Sequence, residues 1–61
     1  MTKREILEKR YFKLSGKNVW IIKDGRYYKF RRVDNGDIVW YHRFRSLREV
    51  EEYLNEIENF L

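Results

Sequence analysis

Two turn signals, Asp24-Gly25 and Asp34-Asn35-Gly36, cut the middle of this 61-residue chain into three runs of strand-forming residues. The runs are NVWIIK (18–23), RYYKFRRV (26–33) and DIVWYHRF (37–44). Aspartate-glycine pairs favour tight hairpin loops, because glycine enters positive φ without a steric penalty. Strands joined by loops this short run antiparallel. A three-stranded meander is therefore predicted over residues 19–45.

A helix follows it. Ser46 and Glu49 have the spacing of a capping box, in which each side chain bonds the other's backbone N–H. Leu47, Val50, Leu54, Ile57 and Leu61 then recur at steps of three and four, the apolar stripe of an amphipathic helix. The pattern predicts a helix over 47–60, with Tyr53 and Phe60 flanking the stripe. Residues 1–18 admit two readings. Thr2 and Glu5 again have capping-box spacing, and Ile6, Leu7, Arg10, Tyr11 and Leu14 form a short helical face that stops near Gly16. Alternatively, RYFKL at 10–14 is an extra strand. The helix is the favoured reading. The expectation is an α+β fold in one domain, 1–61: an N-terminal helix or extension (1–18), a three-stranded antiparallel sheet (19–45) and a C-terminal helix (46–61).

The turns also predict which side chains share a face. A two-residue Asp24-Gly25 loop pairs Lys23 with Arg26, Ile21 with Tyr28 and Val19 with Phe30. The second turn can have two or three residues, and a one-residue slip would invert the whole third strand. A three-residue loop, with Gly36 left-handed, gathers Val19, Ile21, Tyr28, Phe30, Ile38, Trp40 and Phe44 on one face. A two-residue loop mixes Trp40 and Phe44 with Lys29 and Arg31. The three-residue loop is the expectation. It leaves Trp20, Ile22, Tyr27, Lys29, Arg31, Val33, Val39, Tyr41, Arg43 and Arg45 on the face away from the helix.

Composition bounds the chemistry. A domain near 60 residues buries only about 60% of its unfolded surface. With no cysteine, the core must come from aliphatics and the eleven aromatic residues. No cysteine and a single histidine leave no expected metal or cofactor site. His42 has the parity of the core face, which suits a partly buried histidine better than a base or ligand. The acidic residues read as turn formers (Asp34, Asp37) and a solvated helix face, and no glycine-rich phosphate loop is present. Catalysis and a small-molecule substrate are not expected. No apolar run approaches the ~20 residues of a membrane span, and the charged start, MTKREILEKR, is unlike a secretion signal. A cytoplasmic location is expected, nucleoid-associated if the chain binds DNA.

Charge is unevenly placed. Residues 1–45 hold 13 Lys and Arg against 5 Asp and Glu, a net of +8; residues 46–61 hold one Arg and five Glu, a net of −4. A basic body suggests a polyanionic partner. Lysine and arginine neutralise phosphates and release counterions, and an arginine fork reads guanine in the major groove. Tyrosine and tryptophan bond phosphate or stack on unpaired bases. The residues expected to contact DNA are Trp20, Tyr27, Lys29, Arg31, Tyr41, Arg43 and Arg45. The bland alternative is that cross-strand ring and cation pairs merely stabilise an exposed sheet.

The segment VWYHRFRSLREVEEYL (39–54) resembles the last strand and helix of the plant Apetala-type ethylene-response domain through Val39, Trp40, Phe44, Ser46, Glu49 and Val50. KDGRYYKFRRVDNGDIVWYHRF (23–44) similarly resembles the amino-terminal arm-binding domain of conjugative-transposon integrases. The resemblance covers roughly 19–57. It implies a three-stranded sheet in the DNA major groove, with contacts from Trp20, Tyr27, Lys29, Arg31, Tyr41 and Arg43. The chain departs from the plant pattern at His42, where glycine is usual, and at Val50 and Tyr53, where alanines are usual. It also lacks the paired arginines of the first strand. The functional expectation is a small double-stranded DNA-binding regulator or accessory factor, with a mobile element or virus as a possible source. A protein-interaction module using the same face, or a binder of RNA or single strands, stands as the alternative.

Overall fold

The computed structural model of the chain describes residues 1–60, with Trp40 described by its backbone only. The order is helix α1 (Lys3–Ser15), strands β1 (Val19–Asp24), β2 (Tyr27–Arg32) and β3 (Ile38–Phe44), then helix α2 (Leu47–Phe60). The strands form one antiparallel sheet in the order β1-β2-β3. The fold is α+β, as expected.

Both helix starts use the hydroxyls that the spacing predicts. Thr2 Oγ1 accepts the Glu5 N–H at 3.2 Å and Ser46 Oγ accepts the Glu49 N–H at 3.3 Å. At α2 the return bond of the box is displaced by one residue. The Glu49 carboxylate accepts from the Arg45 N–H, not from Ser46. The favoured helical reading of the N-terminal segment holds, and α1 ends where Gly16 takes a left-handed φ of 74° and donates to Phe12.

The helices cover one face of the sheet. Leu7 and Tyr11 from α1, Val19 and Ile21 from β1, Phe30 from β2, and Val50 and Leu54 from α2 form the buried core. Leu14, Tyr28, Val39, Phe44, Leu47, Tyr53 and Ile57 pack around it. α1 also seals part of the sheet edge: Glu8 Oε2 accepts the Ile21 N–H at 2.7 Å, on the side of β1 away from β2. On the helix side, Arg10 reaches Asn55 and Glu58, and Lys3 reaches Glu51. Predicted stripe residue Leu61 lies outside the described residues, and Phe60 is almost fully exposed.

Both loops differ from expectation. In the first hairpin Asp24 pairs with Tyr27, so the loop is Gly25-Arg26, and Ile21 faces Phe30 while Val19 faces Arg32. Gly25 has φ of 65° and Arg26 does not have positive φ. A turn with glycine first and an ordinary residue second is the type II′ pattern, which keeps Asp24 in the strand. The shift moves each pairing by an even number of residues, so every β1 and β2 side chain keeps its predicted face.

The second turn is longer than three residues. The Arg32 N–H bonds the Asp37 carbonyl at 2.8 Å, so residues 33–36 form the loop, with Gly36 left-handed at φ 75°. Ile38 then pairs with Arg31 and Val39 with Phe30. The expected placing of Ile38 inward and Val39 outward is therefore reversed: Val39 packs on the core and Ile38 is 39% exposed on the open face. The parity is restored by a bulge opposite Lys29/Phe30. Beyond it Arg43 pairs with Lys29 and Phe44 with Tyr28, so β3 carries three residues, 40–42, between pairs that are adjacent on β2. The expected inward placing of Trp40 falls on a side chain outside the described residues. The odd number of extra residues lets both Val39 and Phe44 face the helices.

This register is testable at neighbouring positions. Val39→Lys should lower stability by about 2–4 kcal/mol, whereas Ile38→Lys should change it by less than about 1 kcal/mol, as read by urea unfolding. Equal losses would contradict the bulged register.

Candidate nucleic-acid interface

The face of the sheet away from the helices carries three cross-strand rows. Trp20, Arg31 and Ile38 form one and Ile22, Lys29 and Arg43 the next. Asp24 and Tyr27 begin the third, where Tyr27, Arg45 and Arg26 line a shallow depression. Six of the seven sequence-predicted contact residues are thus brought together: Trp20, Tyr27, Lys29, Arg31, Arg43 and Arg45.

Their positions are partly fixed by neighbours. The Arg43 guanidinium lies 4.9 Å from the centre of the Tyr27 ring, a cation–π contact that leaves its N–H groups free to donate outward. The Arg31 guanidinium lies over Gly36, where a Cβ would sit 3.6 Å from its Nη2. Lys29 Nζ pairs with Asp24 Oδ2 at 3.0 Å. That pair is the one local counter-charge found among the described residues of this face. Arg10, Arg32 and Arg48 are each paired with a carboxylate elsewhere. Among the described residues, no carboxylate lies within ion-pairing distance of Arg26, Arg31, Arg43 or Arg45. Four guanidinium groups therefore share this side of the molecule without internal neutralisation.

Tyr41, the seventh predicted residue, sits apart. It belongs to the bulge, and its ring is 4.5 Å from that of His42. The bulge interrupts the ladder at that point, so strand alternation alone does not fix the face of Tyr41. The sequence reading missed Arg26 and Ile38 as members of the open face. A type II′ reading of Asp24-Gly25-Arg26 would have exposed Arg26 at the hairpin tip. Nothing in the local sequence marks the four-residue loop, 33–36, that turns Ile38 outward.

His42 is held on the covered side. Its Nε2 is 3.1 Å from the Tyr53 hydroxyl, and its ring lies 5.5 Å from Phe30 and 6.2 Å from Phe44. Burial lowers its pKa, and burial raises those of Tyr11 and Tyr53. These shifts belong to the core, not to the open face. Among the described residues there is no group of three or more His, Asp or Glu suited to a metal ion, and no helix long and apolar enough to cross a membrane.

No protein-family model, curated protein or solved structure matches this chain.

The His42 shift sets a pH dependence. The unfolded chain takes up the histidine proton before the folded one does, so stability is lost as pH falls below about 6.5. The melting temperature should drop as pH is lowered through and below about 6.5, and His42→Gln should reduce that drop. An unchanged drop in the variant would assign the effect to other groups.

Proposed function

We propose that this domain binds double-stranded DNA through the open face of its sheet, as a small regulator or accessory factor. The observation that carries the reading is the set of guanidinium groups of Arg26, Arg31, Arg43 and Arg45, beside Lys29 on one face, with no carboxylate paired to them among the described residues. Clustered cations without counter-charge repel one another, and a phosphate backbone relieves that cost while releasing its own counterions. The major groove is about 12 Å wide and admits a two-stranded β-ribbon. Arg31 and Arg43 project from neighbouring strands and are the candidates for guanine O6 and N7. Tyr27 holds Arg43 in place, and Lys29 serves the backbone.

The resemblance to the plant ethylene-response and integrase arm-binding domains supports the same use of the sheet. Arg26 joins the contact set, and Tyr41, whose ring lies beside His42, stands outside the three paired rows. The cell compartment that follows from this reading is the cytoplasm, on the nucleoid. A protein partner is the second reading, favoured by the exposed indole of Trp20 beside Ile22 and Ile38, since tryptophan, tyrosine and arginine dominate protein hot spots.

Salt dependence separates the two. Affinity for a mixed-sequence duplex should fall steeply with salt, and Arg31→Glu or Arg43→Glu should weaken it by tens of fold and flatten the slope of log affinity against log salt by about one unit or more each. Asp24→Asn, which removes the counter-charge on Lys29, should tighten binding by a few-fold. Salt-insensitive binding, or none at low ionic strength, would overturn the duplex reading.

A further inference from the structure

We infer that the groove between α1 and β1 receives unpaired bases from a strand whose duplex portion lies on the basic sheet face. The preferred target is then a duplex with a single-stranded extension. The inference rests on the duplex reading above and names the substrate class more narrowly.

The groove has a volume of about 470 Å³ and is lined by Glu5, Glu8, Lys9, Phe12, Asn18 and Trp20. Two of these are large rings left open to solvent, Phe12 at 48% and Trp20 at 54% exposure. Trp20 belongs to both surfaces. It stands on the open face in the row of Arg31 and Ile38, and it also lines the groove. Phe12 does not belong to the open face. Its helix packs on the other side of the sheet, so the ring lies past the edge of β1, where a straight duplex seated on the sheet does not reach. A strand that leaves the duplex at that edge passes Trp20 first and Phe12 next.

The polar lining fits bases better than phosphates. Glu5 and Glu8 repel a phosphate, so an entering strand turns its bases inward and its backbone to solvent. Carboxylates accept from exocyclic amino groups, and the Asn18 amide offers both a donor and an acceptor. One Glu8 oxygen is already engaged by the Ile21 N–H at 2.7 Å, which fixes that carboxylate against the groove wall. Lys9 supplies a cation for the backbone. Stacking of a base on an aromatic ring is sequence-tolerant, and its loss on alanine substitution spans about five-fold to a hundred-fold in affinity.

The experiment compares three labelled probes by anisotropy at fixed salt: a blunt duplex, the same duplex with a short unpaired extension, and the extension alone. The extended duplex should bind at least about five-fold tighter than the blunt one. Phe12→Ala should erase that advantage while leaving blunt-duplex affinity and its salt slope unchanged, and Phe12→Tyr should retain it. Trp20→Ala should erase it as well. Circular dichroism of each variant checks that α1 and the sheet remain folded. Equal, salt-sensitive affinity for blunt and extended duplexes would overturn this inference and leave the duplex reading standing. An advantage that survives both Phe12→Ala and Trp20→Ala would also overturn it. Binding to none of the probes would overturn both. A protein partner lost on Phe12→Ala, with no preference for the extension, would assign the groove to that protein and overturn the inference.

Discussion

The contact on which this small structure depends is the burial of Phe30, the central residue of the central strand. It has no exposed surface. Its ring lies 4.7 Å from Tyr11 of α1, 5.4 Å from Phe44 of β3 and 6.5 Å from Tyr53 of α2. One side chain thus joins both helices to the sheet. In a chain with no cysteine, and hence no disulfide, a single well-packed aromatic hub does much of what a larger core would do. Buried aromatic pairs add about 0.5–1.5 kcal/mol beyond the area they bury, a large share of what a domain this short possesses. The His42–Tyr53 hydrogen bond then ties the bulge of β3 to α2 at the rim of the same cluster.

Covering one face so completely defines the other. Both helices lie on the Phe30 side, and among the described residues the opposite side of the sheet has no covering element. Carboxylates follow the same division. Glu49 caps the start of α2, Glu8 seals the edge of β1, and Glu51 and Glu58 pair with cations at the helix side. Asp24 reaches the open face. Five of the thirteen basic residues of 1–45, namely Arg26, Lys29, Arg31, Arg43 and Arg45, stand on that open side, and among the described residues Asp24 on Lys29 is the one carboxylate paired with them.

Much of this was legible in the chain. The apolar stripe of α2, the capping hydroxyls of Thr2 and Ser46, and the turn glycines are local signals, and each acts through backbone preferences a few residues away. The faces of β1 and β2 were also legible, because an error of an even number of residues in a hairpin does not change which side a residue faces. The span of the third strand was legible too, but its register was not. Its register depends on where Phe30, Phe44 and Val39 can all reach the core, a tertiary constraint that overrides the two-residue alternation. Ile38 and Val39 are the residues misplaced by assuming a three-residue second turn. For the open face, the sequence supplied the ring and cation inventory. The pairing of Lys29 with Asp24, the stacking of Arg43 on Tyr27 and the nearness of Phe12 to Trp20 required the fold.

The central claim is that the uncovered, unneutralised face of the sheet is the surface that meets DNA. Amide and indole chemical shifts of the labelled domain, followed while a duplex is added at low salt, test it most directly. The account predicts shifts grouped at Trp20, Tyr27, Lys29, Arg31, Arg43 and Arg45, with the exposed side of α2 at Glu52 and Glu56 unchanged. Shifts confined to α2, or no shifts at all, would contradict it.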